Sequence, residues 1–154
     1  MDSSSSSPAL GLERISLLGR SESRLPAKPD VAVLETFPNR SPQRRYVIHL
    51  DYPEFSSLCP VTGQPDSARL EIAYVPGEVC LETKSLKFYL AAYRNTAAFN
   101  EEIVNRILDD LVTACAPLEA MVRGAFSPRG GISLTTEAHH PAPEGPLLQT
   151  DAGA

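Results

Sequence analysis

Apolar and polar residues alternate over Tyr46–Tyr52, with Tyr46, Ile48, Leu50 and Tyr52 on one face and Val47, His49 and Asp51 on the other. A period of two is the pattern of a half-buried strand. Ala68–Val75 alternates in the same way, with Leu70, Ile72 and Tyr74 on one side, and Pro76-Gly77 closes it. The period then changes. Over Glu82–Tyr93, Leu86, Tyr89, Leu90 and Tyr93 recur at helical spacing, with Thr83 or Ser85 as the expected cap. Ala98–Cys115 carries a wider stripe, formed by Ile103, Val104, Ile107, Leu108 and Leu111, and Pro117 stops it. Leu118–Phe126 and Ile132–Glu137 are two further strand candidates, joined by a hairpin-like Ser-Pro-Arg-Gly-Gly at 127–131, and Val31–Pro38 reads as an ordered extended segment. The order β-β-α-α-β-β predicts an α+β sandwich: one four-stranded antiparallel sheet with two helices on one face. Such a sheet has open edges, which need partners, so self-association is expected.

Composition adds boundaries to this pattern. The 154 residues are enough for one domain, and 42% of them are apolar. The serine run near Met1 and the mixed stretch after it predict a flexible N-terminal arm over 1–30. The folded domain is expected over 31–137, and a Pro-, Ala- and Gly-rich disordered tail over 138–154. The net charge is −5; residues 46–154 hold seven Lys and Arg against fourteen Asp and Glu. That acidic balance argues against direct nucleic-acid binding, so an anionic ligand needs a local basic cluster. No apolar run approaches the ~20 residues of a membrane helix, and the first residues lack the regions of a secretory signal. Cys59, Cys80 and Cys115 are odd in number with no close pair. That usage fits a reducing compartment and predicts a cytoplasmic protein.

Candidate chemistry begins at Glu54–Asp66, read as a fixed loop because Pro60, Gly63 and Pro65 interrupt regular structure. It carries a thiol, Cys59, and a carboxylate, Asp66. The two can serve as nucleophile and proton-transfer partner, or can be no more than a buried cysteine beside an exposed turn aspartate. Lys84 and Lys87 sit in the first turn of the first helix, where free backbone N–H groups and two cations make an anion site suited to phosphate; solvated lysines are the plainer reading. Glu101, in the first turn of the second helix, fits ordinary helix-start charge. Arg129, on the exposed hairpin tip, can reach a phosphate or carboxylate bidentately.

Together these stretches resemble the 7-cyano-7-deazaguanine reductases, the nitrile reductases of queuosine biosynthesis, in their short single-module form. The resemblance covers roughly Leu34–Leu134. It is strongest at Glu54–Asp66, Glu82–Tyr89 (Glu-Thr-Lys-Ser-Leu-Lys-Phe-Tyr) and Phe126–Ile132. It implies the tunnelling fold, whose subunits join edges into a barrel, with active sites between subunits of a homo-oligomer, expected as a decamer of two pentamers. The implied reaction is NADPH-dependent reduction of the nitrile of 7-cyano-7-deazaguanine to 7-aminomethyl-7-deazaguanine through a Cys59 thioimide, with Asp66 as proton donor. Leu81, Glu82, Thr83, Asn100 and Glu101 match substrate-lining positions, and Lys84, Ser85, Lys87, Arg129 and Gly130 match the cofactor side. No metal is implied. The chain departs from the family pattern at Asn100, where His is usual, and at Thr83, where Ser is usual. A zinc-dependent GTP cyclohydrolase-like enzyme would need Cys and His ligands at a spacing this chain does not have. A related amidinotransferase would lack the lysine signature, and a catalytically impaired purine- or pterin-binding relative is favoured only by Asn100.

Overall fold

The computed structural model describes residues 24–145 and 147–148. Most of the expected N-terminal arm and the end of the tail lie outside these residues. The described elements are β1 (Thr36–Pro38), β2 (Ile48–Leu58), β3 (Pro65–Val75), β4 (Val79–Leu81), α1 (Thr83–Ala91), α2 (Asn100–Cys115), β5 (Glu119–Arg129) and β6 (Ile132–His140). The main sheet is antiparallel in the order β2-β3-β5-β6, and β1 pairs with β4 in a separate two-stranded sheet. The expected β-β-α-α-β-β frame is therefore β2-β3-α1-α2-β5-β6. The β1–β4 pair is an addition that three-residue strands do not announce in sequence. Val31–Val33, expected as extended, forms a 3-10 turn ahead of β1.

One core joins the sheet to both helices. Leu70, Ile72 and Tyr74 of β3 meet Leu86, Tyr89 and Leu90 of α1 and Ile103, Val104, Ile107 and Leu111 of α2, all buried. Phe55 and Val122 complete the sheet face of that core. Gly124 marks the closest approach. A Cβ there would stand 2.9 Å from Val104 Cγ2 and 2.9 Å from Phe126, so only glycine lets α2 lie this close to β5. Between the helices, Tyr89 of α1 donates a hydrogen bond of 2.5 Å to Asp110 of α2, and its hydroxyl lies 3.0 Å from the Tyr93 hydroxyl.

β2 departs most from its expected bounds. It runs on through Pro53 to Leu58, so Glu54–Leu58 is strand, Pro65 and Asp66 begin β3, and the expected long loop shrinks to residues 59–64. The register shifts between Tyr52 and Phe55, where β2 carries one residue more than its partner β3. A bulge on an edge strand is where proline is tolerated. It also inverts the alternation: Ile48, Leu50 and Tyr52 face inward before it, and Phe55, Ser57 and Cys59 after it.

At the other hairpin, β5 continues to Arg129 and the turn is only Gly130-Gly131, with φ of 56° and 83°. Two successive positive φ values define a tight primed hairpin turn. β6 extends to His140, so the first three residues of the expected tail are paired strand. Arg94 and Arg106 hold the chain before β1 by donating to the carbonyls of Pro26 and Pro29, at 3.2 Å and 2.8 Å. No described helix is long and apolar enough to cross a membrane.

Candidate active site

Cys59 is the first residue after β2 and is buried. The turn that follows is closed by backbone bonds from Cys59 N to Gln64 O, 2.8 Å, and from Gly63 N to Cys59 O, 2.9 Å. Pro60 presets the first turn residue, and Gly63 takes the positive φ of 68° that ends it. The Cys59 thiol is pulled down to about 6, chiefly by the Thr62 hydroxyl, then by the backbone N–H groups of Thr62 and Val61 and by the Arg129 guanidinium; burial opposes them. Hydrogen bonds to the charged form favour that form, so Cys59 is a thiolate at neutral pH.

Asp66 stands opposite Ser57 in the β2–β3 ladder and is 7% exposed. Its inward direction follows from the same β3 alternation that buries Ala68 and Leu70. Arg129 comes back from the β5–β6 hairpin and pairs its Nη2 with Asp66 Oδ2. The hairpin is tied to β3 by a 2.8 Å contact between the hydroxyls of Ser67 and Ser127. One guanidinium thus lies between the thiolate and the carboxylate, and offsets the repulsion two anions would otherwise have.

The start of α2 is brought to the same corner by the strand end. Leu58 donates to Thr96 O at 3.0 Å and accepts from Ala98 N at 3.2 Å, which pins the segment before α2 beside Cys59. Asp66, Asn100, Glu101 and Arg129 then line one pocket of about 180 Å³ with Pro60, Phe99 and Leu134. This is below the ~300–1,000 Å³ of a drug-sized site, and suits one small ring system. Asn100 Oδ1 is buried there without a partner among the described residues. The Glu101 side chain is exposed and forms no ion pair with a described residue. A buried unpaired carbonyl beside an exposed carboxylate is a pair of acceptors awaiting donors.

The remaining expected site residues lie elsewhere. Leu81 buries its side chain in the core, and its N–H is taken by the Tyr74 hydroxyl at 3.0 Å. Glu82, not Thr83 or Ser85, caps α1. Its carboxylate accepts from Lys84 N at 2.8 Å and Ser85 N at 2.7 Å. The Lys84 N–H in particular holds the Glu82 carboxyl below the usual carboxylate range. The expected anion site therefore has no free N–H groups at these positions, because the chain's own anion occupies them. Ser85 Oγ is also committed, donating to Glu82 O and accepting from Glu35 N.

What stays open at α1 are the two cations. Lys84 and Lys87 each place Nζ 5.6 Å from the Phe88 ring, and neither is ion-paired among the described residues. Lys84, Ser85, Glu82 and Phe88 line one pocket of about 380 Å³, and Thr83 and Lys87 line another. Neither pocket shares a lining residue with the pocket at the Cys59 corner. Thr62 and Ser57 were missed from the sequence. Thr62 was legible as a hydroxyl three residues after the thiol on a closed turn. Ser57 became visible only once the bulge turned it inward.

Of the remaining candidates, His49 is exposed on the outer face of β2. Cys80 and Cys115 are buried; burial pushes the Cys115 thiol up to about 11, and its Sγ donates to Leu111 O at 3.3 Å.

The family model described as QueF-like protein matches residues 65–145. A protein of Syntrophus aciditrophicus named NADPH-dependent 7-cyano-7-deazaguanine reductase is 48% identical over 138 residues, which is 90% of this chain and 94% of that one. A protein of the same name from Magnetococcus marinus is 49% identical over 113 residues, 73% and 88% of the two chains. Among solved structures, the apo form of the archaeosine synthase QueF-Like superposes with a TM-score of 0.57 at 22% identity, covering 60% of this chain and 91% of that chain; this likeness carries the fold.

Proposed function

The chain belongs to the QueF-like family that includes the 7-cyano-7-deazaguanine reductases, and from that premise we propose that it reduces the nitrile of 7-cyano-7-deazaguanine to the aminomethyl group with NADPH. The observation that carries the reading is the Cys59 corner: a thiolate, a buried carboxylate and a small acceptor-lined pocket on the tunnelling fold.

A nitrile carbon is a weak electrophile and needs a strong nucleophile held against it. Glu101 accepts two hydrogen bonds from the ring N–H and amino group of the guanine-type base, and Asn100 Oδ1 offers a third acceptor. Cys59 Sγ adds to the nitrile carbon. The C–S bond forms, one π pair moves to nitrogen, and the nitrogen takes a proton that Asp66, a carboxylate in the free protein, has drawn from solvent, giving the thioimide. Asp66 is reprotonated from solvent, so one carboxyl relays each proton that the nitrogen needs. NADPH, when bound, supplies one hydride to the thioimide carbon and a second to the imine carbon. Between these steps the C–S bond breaks, its electron pair returns to Cys59, and the carbon–nitrogen double bond re-forms. A thiol of lowered pKa leaves more readily.

The residues present fit the cofactor's charge. Lys84 and Lys87 are free cations beside an aromatic ring, suited to phosphate as point charges, while the capped N-terminus of α1 cannot serve it. Because these lysines and the Cys59 corner are two half-sites, the complete site forms between subunits, with β2 and β6 joining neighbours into a barrel and two pentameric rings making a decamer. The unit that carries the chemistry is residues 31–137 together with the end of β6. Three unpaired cysteines suit the cytoplasm. Intact mass after mixing with 7-cyano-7-deazaguanine alone tests the reading. An adduct of the nitrile's mass forms on the wild-type protein and is absent from Cys59→Ala; an adduct that persists in Cys59→Ala would sink it.

A further inference from the structure

Arg129 faces a direction that an unbroken strand would not give it. Along β5 the residues turned to the core are Ala120, Val122, Gly124 and Phe126. Continued at a period of two, that face would pass to Pro128 and leave Arg129 on the other. The pairing with β6 shifts between Phe126 and Arg129, where β5 carries one residue more than its partner. Phe126 stands opposite Leu134, and Arg129 stands opposite Ile132, which shares a face with Leu134. The extra residue therefore brings Arg129 onto the face of Phe126. Phe126 pairs in turn with Ala68 of β3, which shares its face with Asp66. A bulge re-aims a side chain in just this way.

The result is a cation set on the buried carboxylate. Arg129 Nη2 pairs with Asp66 Oδ2, and neither residue has another ion pair among the described residues. The contact is one of charge, since Asp66 Oδ2 accepts no aligned hydrogen bond. Arg129 is also the one cation among the residues that line the small pocket with Asp66, Asn100 and Glu101. Two carboxylates belong to that lining, and the Cys59 thiolate precedes Pro60, another lining residue. Like charges gathered this closely oppose one another unless a cation stands among them. Lys84 and Lys87 cannot serve, because they line other pockets.

We propose that Arg129 is a positioning residue of the covalent step, holding the Asp66 carboxyl toward the pocket and offsetting its charge against the Cys59 thiolate. The inference rests on Cys59 as the nucleophile and Asp66 as the proton carrier. The resemblance assigns Arg129 to the cofactor side, whereas its ion pair and its pocket put it with the nitrile. When Cys59 Sγ adds to the nitrile carbon, the C–S bond forms, one π pair moves to nitrogen, and the nitrogen takes its proton from Asp66. Asp66 is left a carboxylate, and the guanidinium that meets it keeps the oxygens in place for the next proton from solvent. Without Arg129 the corner holds anions with no cation among them, and the carboxylate is free to turn from the pocket. None of this needs NADPH, so Arg129 acts before any hydride moves.

The test is the rate at which the full-length protein gains the mass of 7-cyano-7-deazaguanine with no NADPH present, followed by intact mass. Arg129→Gln slows this gain by about 10–100-fold, the scale of a misplaced catalytic group. Arg129→Lys keeps the charge and recovers part of the rate. In an Asp66→Asn background the same Arg129→Gln change costs little more, because a residue that acts through Asp66 has nothing left to hold. Arg129→Met replaces Arg129→Gln if circular dichroism shows that the glutamine variant is not folded. A variant without the guanidinium that gains mass at the wild-type rate, and loses only its affinity for NADPH, makes Arg129 a cofactor cation and overturns the inference. An equal loss with and without the Asp66 carboxyl overturns it too. A wild-type protein that gains no mass overturns the proposed reduction itself, and this role with it.

Discussion

At the scale of single residues, the site is two anions kept together by donors. Cys59 has Thr62 and the turn's N–H groups, and Asp66 has Arg129. Asp66→Asn keeps the side chain's shape and its place opposite Ser57, but removes the proton donor and half of the ion pair. We expect it to bind the base with little change, measured by equilibrium titration, and to lose about 10²–10⁴-fold in turnover, the usual range for removing a general acid. A variant with wild-type turnover would move the proton source elsewhere. Cys59 and Asp66 were legible in the sequence because each is a reactive type on a short, proline-bounded stretch. The guanidinium between them was not: Arg129 is 63 residues from Asp66, and only the β5–β6 hairpin, with its register shift between Phe126 and Arg129, brings it onto the carboxylate.

At the scale of elements, the periodicities carried most of the fold. The α2 stripe and the inward residues of β3 are buried as the spacing requires. The pattern failed where the backbone breaks its own rule. Pro53 reads as the end of a strand, yet the bulge absorbs it and the strand continues with its faces exchanged, which is what turns Cys59 inward. The α1 cap failed for a different reason. Thr and Ser are the usual caps, but Glu82 has two oxygens and the reach to take two N–H groups at once. Glu82→Ala should destabilise the protein by about 0.5–2 kcal/mol, measured by denaturant unfolding. The sign follows from the lowered Glu82 carboxyl. Its contribution is complete above the unfolded carboxyl value of about 4.3 and fades as pH falls through the lower folded value. The gap between wild type and variant should therefore close in acid; a gap independent of pH would mean that the carboxylate is not the cap.

At the scale of the whole molecule, the proposal that the site is completed between subunits rests on separate pockets and open edges. The Cys59 corner and the Lys84–Lys87 face line separate pockets, and β2 and β6 are edge strands of eleven and nine residues. Unpaired edges of that length are a liability unless another chain covers them. Co-expressing Cys59→Ala with a Lys84→Ala, Lys87→Ala double variant should give mixed assemblies in which on the order of one site in four has both halves intact, so activity returns although neither parent has any. No recovery in demonstrably mixed assemblies would place both halves in one subunit. Alternation alone predicts open edges in need of a partner, but it does not show which surface would meet them.

The central claim is tested most directly by the absorbance of the reduced nicotinamide while the protein turns over a limiting amount of 7-cyano-7-deazaguanine. Conversion of a nitrile to an amine takes four electrons, and each NADPH gives two. The account predicts two NADPH oxidised for each nitrile consumed, with no oxidation in Cys59→Ala. A protein that forms its adduct but oxidises no NADPH, or that oxidises it equally well without Cys59, would contradict it.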